Sequence, residues 1–158
     1  FVMLHVAKYD LEAGQHPWCS RETIRLAQEI LAQLVLLHGC DHIGRLLHQY
    51  WTPLLELLRY HLRGVVVEDR ADLGHAPGWK QCVFSRHVIR WLIEHMHAES
   101  IGEHVNDLLS LVLPLLDDHE VQNKALGAHC LLLVVRQTAP SRWVQHGELL
   151  VQVSPVWL

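Results

Sequence analysis

Residues 105–137, VNDLLSLVLPLLDDHEVQNKALGAHCLLLVVRQ, decide the fold because they contain two helical patterns separated by a short acidic turn. The first pattern spaces apolar side chains by three or four residues, which keeps them on one helix face: Val105, Leu108, Leu109, Val112 and Leu116. Pro114 lies inside this pattern and predicts a bend, which is typical of the outer helix of a HEAT repeat. The stretch therefore predicts one pair of antiparallel helices.

The second pattern predicts a buried row of apolar side chains along the second helix: Val121, Ala125, Ala128, Leu132 and Val135. Gly127 lies in this helix, where glycine costs about 1 kcal/mol relative to alanine, so it indicates a very close approach of two backbones. Asp117 and Asp118 end the first helix, and Asp118 is predicted to cap the second. Lys124 is predicted either to pair with one of these aspartates, which would set the turn geometry, or to stay solvated.

The composition of the whole chain agrees with packed helices. Of its 158 residues, 50% are apolar, and leucine is far more frequent than phenylalanine or tyrosine. The formal net charge is −4 and basic residues do not form runs, which predicts no contact with nucleic acid. The longest apolar runs have about five residues, far fewer than the ~20 that a membrane-spanning helix requires, so no membrane span is predicted.

The four cysteines are scattered, and no two of them form a CxxC pair: Cys19, Cys40, Cys82 and Cys130. A leucine-rich chain of this length does not need disulfides to stabilise its core. The pattern therefore predicts four reduced thiols in a protein of the cytoplasm and nucleus.

Helical patterns also cover most of the remaining chain. The sequence predicts helices at about 20–38, 41–62, 79–98, 103–116 and 119–137, with an exposed loop at about 63–78. Ser20 is predicted to cap the first helix, Pro53 to kink or restart the second, and Gly39 and Gly102 to mark breaks. The first helix carries a row at Ile24, Ala27, Leu31 and Leu34 and a second row at Leu26, Ile30 and Leu37, which predicts burial on more than one side.

A weak internal repeat organises these helices. The segment WTPLLELLRY at 51–60 resembles LVLPLLDDHE at 111–120, at an offset of about 61 residues. We therefore predict an all-α fold of HEAT/armadillo-like helical repeats stacked as an α-solenoid. The chain begins with Phe1 and without a capping signal, so residues 1–158 are predicted to form a single helical-repeat fragment of a longer protein.

Histidine is unusually frequent, with 14 residues, and two groups have ligand-type side chains close together in sequence. These groups are His38, Cys40, His42 and His95, His97, Glu99. Neither has the matching second half of a zinc motif, so helix-end and surface histidines are predicted and no metal ligand is assigned. Motifs such as GxSxG, the Walker A loop and HExxH are absent from the sequence, so no enzyme, catalytic residue or cofactor is predicted.

The run LVLPLLDDHEVQNKALGAHCLLLVV, residues 111–135, resembles the smaller HEAT-repeat interacting subunit of the Triple-T co-chaperone complex, the telomere-maintenance-protein-interacting protein two family. The resemblance is carried by Pro114, Leu115, Leu116, Asp117, Asp118, Asn123, Lys124, Gly127, Cys130 and Leu131. It implies that five of these residues form a structural repeat motif: Pro114, Asp117, Asp118, Lys124 and Gly127.

The resemblance also implies a function. Members of this family are helical scaffolds without catalytic activity that bind a larger helical-repeat subunit and, through it, a telomere-maintenance subunit. With a heat-shock chaperone, the complex matures phosphatidylinositol-3-kinase-related kinases such as mTOR, ATM and ATR. No residue is assigned to these contacts. Two alternatives stay open, a generic HEAT/armadillo adaptor for protein interactions and a histidine-rich metal-binding protein.

Overall fold

The computed structural model describes residues 20–63 and 83–143, with side chains at 20–59 and 87–143. The described chain forms eight helices: α1 Arg21–Leu37, α2 Ile43–Gln49, α3 Trp51–Arg63, α4 Val83–His95, α5 Ala98–Glu103, α6 Val105–Leu116, α7 Val121–Gln137 and α8 Pro140–Trp143. These two ranges contain no β-strand, which confirms the all-α class. The stacking of the helices as HEAT/armadillo-like repeats stays a prediction.

The bounds of α1 follow from its two flanking residues. The backbone N–H of Thr23 donates to Ser20 Oγ over 3.1 Å, so Ser20 satisfies one of the unpaired donors of the first turn. Gly39 follows the helix with φ +63°, in the left-handed region that glycine enters without steric cost. One face of α1 is buried at Ile24, Ala27 and Leu31.

The chain predicted as one helix at 41–62 forms two helices that meet at Tyr50. His42, and not Asp41, precedes the first of them, and its Nδ1 accepts the backbone N–H of Arg45 over 3.2 Å. Pro53 lies in the first turn of α3, where its missing N–H removes no helical hydrogen bond. The proline therefore restarts the helix and does not kink it.

Between α4 and α6 the helix boundary does not lie at Gly102, where the sequence predicts it. Gly102 lies inside α5 and is buried, while the change of direction occurs at His104, which ends α5 and precedes α6. A β-carbon built on Gly102 would lie 4.0 Å from Arg142 Cγ, so the fold leaves room for a small side chain at this position. The predicted loop at about 63–78 lies, apart from Arg63, outside the described residues.

A continuous apolar core joins the seven helices α1 to α7. All five apolar residues predicted for the first helix of the 105–137 pair are buried in α6, as are Leu111 and Leu115. Burying one such side chain stabilises the fold by about 1.5–3 kcal/mol. The largest fully buried side chains in the described ranges include Trp91, Leu47, Ile89, Leu92, Ile93, Ile101, Leu108, Leu111 and Leu115.

The buried face of α7 differs from the predicted one. The predicted row was Val121, Ala125, Ala128, Leu132 and Val135, but Val121 is 79% exposed, Leu132 is 44% exposed and Ala128 is only half-buried. The row that faces the core consists of Asn123, Gly127, Cys130 and Val134. The predicted register of α7 is therefore wrong.

Gly127 explains the correct register. A β-carbon at this position would lie 2.8 Å from the backbone nitrogen of Leu116 and 3.0 Å from Leu115 Cβ. Real β-carbons do not come this close, so α6 reaches this contact only because residue 127 has no side chain. The close backbone approach expected from the sequence is confirmed, and it turns the row containing Gly127 towards the core.

Candidate functional site

The turn between α6 and α7 is built on two buried polar side chains. Asp118 is 4% exposed, and its Oδ1 accepts the backbone N–H of Glu120 over 2.8 Å. Asn123 is 1% exposed, and its Nδ2 donates to Glu120 Oε2 over 3.0 Å. Glu120, and not Asp118, is the capping residue of α7. Asp118 therefore stabilises the turn that precedes α7. Aspartates often do this by accepting a hydrogen bond from the backbone N–H two residues later.

The residues of the predicted repeat motif surround this turn. Pro114 is exposed on α6, Asp117 ends α6, and Gly127 touches α6 from α7. Lys124 is half-buried at this turn, and its pairing with Asp117 or Asp118 stays a prediction. The assignment of these residues to a structural repeat motif stays a prediction.

Neither histidine group singled out in the sequence converges on one point. His38 Nδ1 lies 2.8 Å from the hydroxyl of Tyr50, and Cys40 Sγ donates to Gln49 Oε1 over 3.6 Å. His95 stacks on Trp91, with its Nδ1 2.8 Å from the carbonyl oxygen of that residue. These side chains serve helix ends and packing.

His42 and His97 nevertheless meet, although they belong to different sequence groups. Their ring centroids lie 4.0 Å apart, and the two Nε2 atoms are separated by 2.6 Å. His42 Nδ1 accepts the N–H of Arg45, and its Nε2, which faces His97, also lies 3.3 Å from Asp41 Oδ1. The pair lies in a polar, open cavity of about 310 Å³ that also contains Asp41, Arg45, His48, Glu99, Ser100 and Glu103.

A third group of side chains that could bind a metal ion, which the sequence pattern does not predict, includes His48 and Glu103 of this cavity. His48, Glu103 and His104 place one potential metal-ligand atom each within 4.8 Å of the others. His48 comes from α2, whereas Glu103 and His104 lie where α5 meets α6. Glu103 and His104 are adjacent in sequence, but nothing in the sequence pattern indicates that α2 approaches them.

Trp51 and Asp107 hold the ring of His104 in place. The Trp51 indole stacks on this imidazole with ring centroids 4.8 Å apart, and its Nε1–H donates to Asp107 Oδ2 over 3.1 Å. Arg59 Nη2 donates to Asp107 Oδ1 over 3.0 Å. Burial lowers the pKa of His104 and the nearby His48 lowers it further, so the ring favours its neutral form.

The surface of α1 and its groove towards α3 are apolar. Leu36 and Leu37 are 68% and 78% exposed, and Leu26 and Ile30 are also exposed. The second row of α1, predicted to be buried, is therefore open to solvent in this structure. A groove of about 320 Å³ lies beside it, lined by Leu34, His38, Leu46, Leu47, Tyr50, Pro53, Leu54 and Leu57. We call the exposed residues Leu26, Ile30, Leu36 and Leu37 the apolar edge.

Two cysteines belong to the described chain, and both are buried free thiols. Cys40 lies at the start of the α2 region and Cys130 in the buried row of α7. Burial raises the pKa of the Cys130 thiol to about 12, so this group is not a nucleophile near neutral pH. Cys19 and Cys82 lie outside the described residues. None of the described helices is both long and apolar enough to cross a membrane.

Comparison with known proteins places this helical chain in a family. The model of the Tti2 family matches residues 2–153. The chain is similar to TELO2-interacting protein 2 of Homo sapiens, with 24% identity over 134 residues, and to its Rattus norvegicus counterpart, with 23% identity over 141 residues. Each match covers 85% of this chain and 25% of the relative, so the chain spans about a quarter of the curated relatives it matches. No solved structure matches. Because the family model covers nearly the whole sequence, the chain belongs to the Tti2 family.

Proposed function

We propose that this protein is a non-catalytic scaffold subunit of the Triple-T co-chaperone complex, which supports maturation and stability of phosphatidylinositol-3-kinase-related kinases. The observation that carries the proposal is the match of the Tti2 family model to residues 2–153. The name of the relatives, TELO2-interacting protein 2, supports the telomere-maintenance subunit as a partner.

The proposed direct partner is the larger helical-repeat subunit, and the telomere-maintenance subunit is reached through it. The heat-shock chaperone and the kinases are indirect partners. We place this activity in the cytoplasm and nucleus.

The described surface supports binding of a helical partner. Helices of a repeat protein bury apolar side chains against neighbouring helices, and large exposed apolar patches mark such contacts. Within the apolar edge, Leu26, Ile30 and Leu37 lie one or two turns apart on α1, which also borders an apolar groove. We propose that one amphipathic helix of the larger subunit packs on this edge.

Replacement of the endogenous protein in cells tests the proposal. Cells depleted of it should lose several kinases of this class together, while their messenger RNA levels stay constant, because a maturation factor acts after synthesis. The wild-type protein should restore the kinases and co-purify with both other subunits. Unchanged kinase protein levels over several half-lives would contradict the co-chaperone role.

A matched pair of variants locates the contact. Leu36→Glu combined with Leu37→Glu should reduce co-purification of the larger subunit, because charge on an apolar contact must be desolvated. Val121→Glu is the control, since Val121 is equally exposed but lies at the start of α7, away from the apolar edge. Both proteins should melt like wild type. If the double variant retains the larger subunit, the placement of the contact on α1 is wrong.

A further inference from the structure

We propose that His48, Glu103 and His104 form a binding site for one divalent transition-metal ion, with Zn²⁺ as the first candidate. Their potential ligand atoms lie within 4.8 Å of one another. Two imidazoles and one carboxylate form a ligand set that suits zinc and related ions. The proposal differs from the sequence-based expectation of no metal ligand, because the ligands come together only when α2 packs beside the α5–α6 junction.

The distance between His48 and Glu103 is compatible with a shared ion after a small side-chain movement. His48 Nδ1 lies 3.8 Å from Glu103 Oε2. Ligands at about 2.0–2.2 Å from a tetrahedral Zn²⁺ are about 3.4 Å apart, so the two atoms need to approach by only a few tenths of an ångström. Both side chains are about half exposed, 46% and 54%, and are therefore able to rotate towards a common centre.

The third ligand is already oriented. The ring of His104 is held by stacking on Trp51, whose own position is fixed by its hydrogen bond to Asp107. This stacking restricts the orientation of the imidazole. Among the described residues, buried His104 Nε2 has no hydrogen-bond partner, so the tautomer of this ring is not fixed by the protein alone.

The neighbouring His42 and His97 pair is a poorer site. Its Nε2 atoms are 2.6 Å apart, closer than two nitrogens that share a zinc ion, and the distance corresponds to a hydrogen bond between the rings. His42 also uses its Nδ1 to cap α2. This pair therefore provides an internal comparison within the same cavity.

Three protein ligands leave at least one coordination position for water, which favours a weaker, exchangeable site over a permanent structural one. The ion would connect α2 to the α5–α6 junction, positions 55 residues apart in sequence. A ligand that binds only the folded chain stabilises it, so zinc should raise the melting temperature. The thermal stability of the region formed by α2 and the α5–α6 junction would therefore increase with zinc concentration.

Zinc titration of the purified protein by calorimetry at neutral pH tests the proposal, with ZnCl₂ as the probe. We expect one ion per chain and a melting temperature raised by about 5 °C at a concentration 100-fold above the dissociation constant. His48→Gln and Glu103→Gln should each weaken binding at least about tenfold and remove most of the thermal shift. Co²⁺ should give visible absorption bands in the wild type that are much weaker in these variants.

Two control variants make the outcome decisive. His119→Gln changes a histidine that is 77% exposed and outside the cavity, and should bind zinc like wild type. His97→Gln should also retain binding. Circular dichroism verifies that each variant is folded, which we expect because His48 and Glu103 are exposed. Unchanged affinity in both His48→Gln and Glu103→Gln, or loss of zinc in His97→Gln alone, would overturn the proposal.

Discussion

The α6–α7 hairpin and α1 are both leucine-rich, but they use their apolar side chains differently. In α6, seven of the apolar residues are buried, and α7 approaches closely enough that Gly127 admits no β-carbon. In α1, three residues are buried while Leu26, Ile30, Leu36 and Leu37 are exposed. The hairpin therefore supplies stability, whereas the apolar edge exposes the surface on which we propose that a partner packs.

This division predicts that the two regions respond to mutation in opposite ways. Changes in the hairpin should lower the free energy of unfolding and affect binding only through loss of the fold. Changes on the apolar edge should affect binding and leave unfolding almost unaltered. The following predictions test the division, beginning with the largest effect.

A charge in the buried row of α7 should have the largest effect. Val134 is fully buried, so Val134→Asp should destabilise the protein by about 4 kcal/mol or more, because an unpaired charge in the core is poorly solvated. Leu132→Asp, two residues away on the half-exposed side, should cost less than about 1 kcal/mol. Urea unfolding followed by circular dichroism measures both. Equal destabilisation by the two substitutions would contradict the register of α7 described above.

A single methyl group at the closest contact should have the next largest effect. Gly127→Ala should destabilise by about 2 kcal/mol, because its β-carbon would lie 2.8 Å from the Leu116 nitrogen and the gain in helix propensity offsets only about 1 kcal/mol. Gly102→Ala is the matched control, since the nearest heavy atom to its β-carbon is 4.0 Å away. We expect Gly102→Ala to be neutral or slightly stabilising in thermal unfolding. A stabilised Gly127→Ala protein would show that the hairpin is looser than described.

We expect the hairpin to lose stability at alkaline pH because the Cys130 thiol is buried. Its pKa is about 12 in the folded protein and about 8.5 in an unfolded chain, so the folded state holds the proton more tightly. The resulting stability is fully present below pH 8.5 and is lost as the pH rises towards 12. From pH 8.5 to 9.5 the loss should be about 1 kcal/mol, because the unfolded thiol is already half ionised at pH 8.5.

Comparison with Cys130→Ala isolates this contribution, because the variant keeps every other group that titrates in this range. The difference in unfolding free energy between the two proteins should shrink between pH 8.5 and 9.5. A difference that stays constant with pH would show that the thiol is accessible to water. Alkylation of Cys130 in the native protein, followed by mass spectrometry, should be much slower at both pH values than alkylation of the unfolded protein.

The smallest effect on stability is expected at the apolar edge. Leu37→Gln should change the free energy of unfolding by less than about 0.5 kcal/mol, because the side chain is 78% exposed. The same substitution should reduce association with the larger subunit. A large loss of stability would show that this leucine packs within the protein and is not available to a partner.

The parts of the fold that sequence predicts well are those set by local signals. Ser20 caps α1 through its own side chain, and the buried face of α6 follows from an unambiguous 3/4 spacing. In α7, two rows have nearly the same spacing. Counting apolar residues favours the row with Val121 and Leu132, whereas packing favours the row in which Gly127 allows close approach. Periodicity alone does not choose between them.

The candidate site was less predictable because its residues are distant in sequence. His48 and Glu103 are brought together by tertiary packing of α2 against the α5–α6 junction, and neither has a spacing motif. The histidine groups that do have short spacings are used to cap a helix or to stack on tryptophan and tyrosine. Sequence spacing finds metal ligands only when they lie on one local element.

The packing of α3 against α4 has a consequence for engineering the protein. Since these two helices already touch, the chain that joins them, residues 64–82, has to close a gap whose ends are fixed by the fold. If a domain is inserted through flexible linkers, the entropy of closing the longer connection changes slowly with linker length, by about 0.6 kcal/mol for each doubling. A fluorescent domain or an affinity tag inserted through such linkers between residues 64 and 82 should therefore cost the fold little free energy.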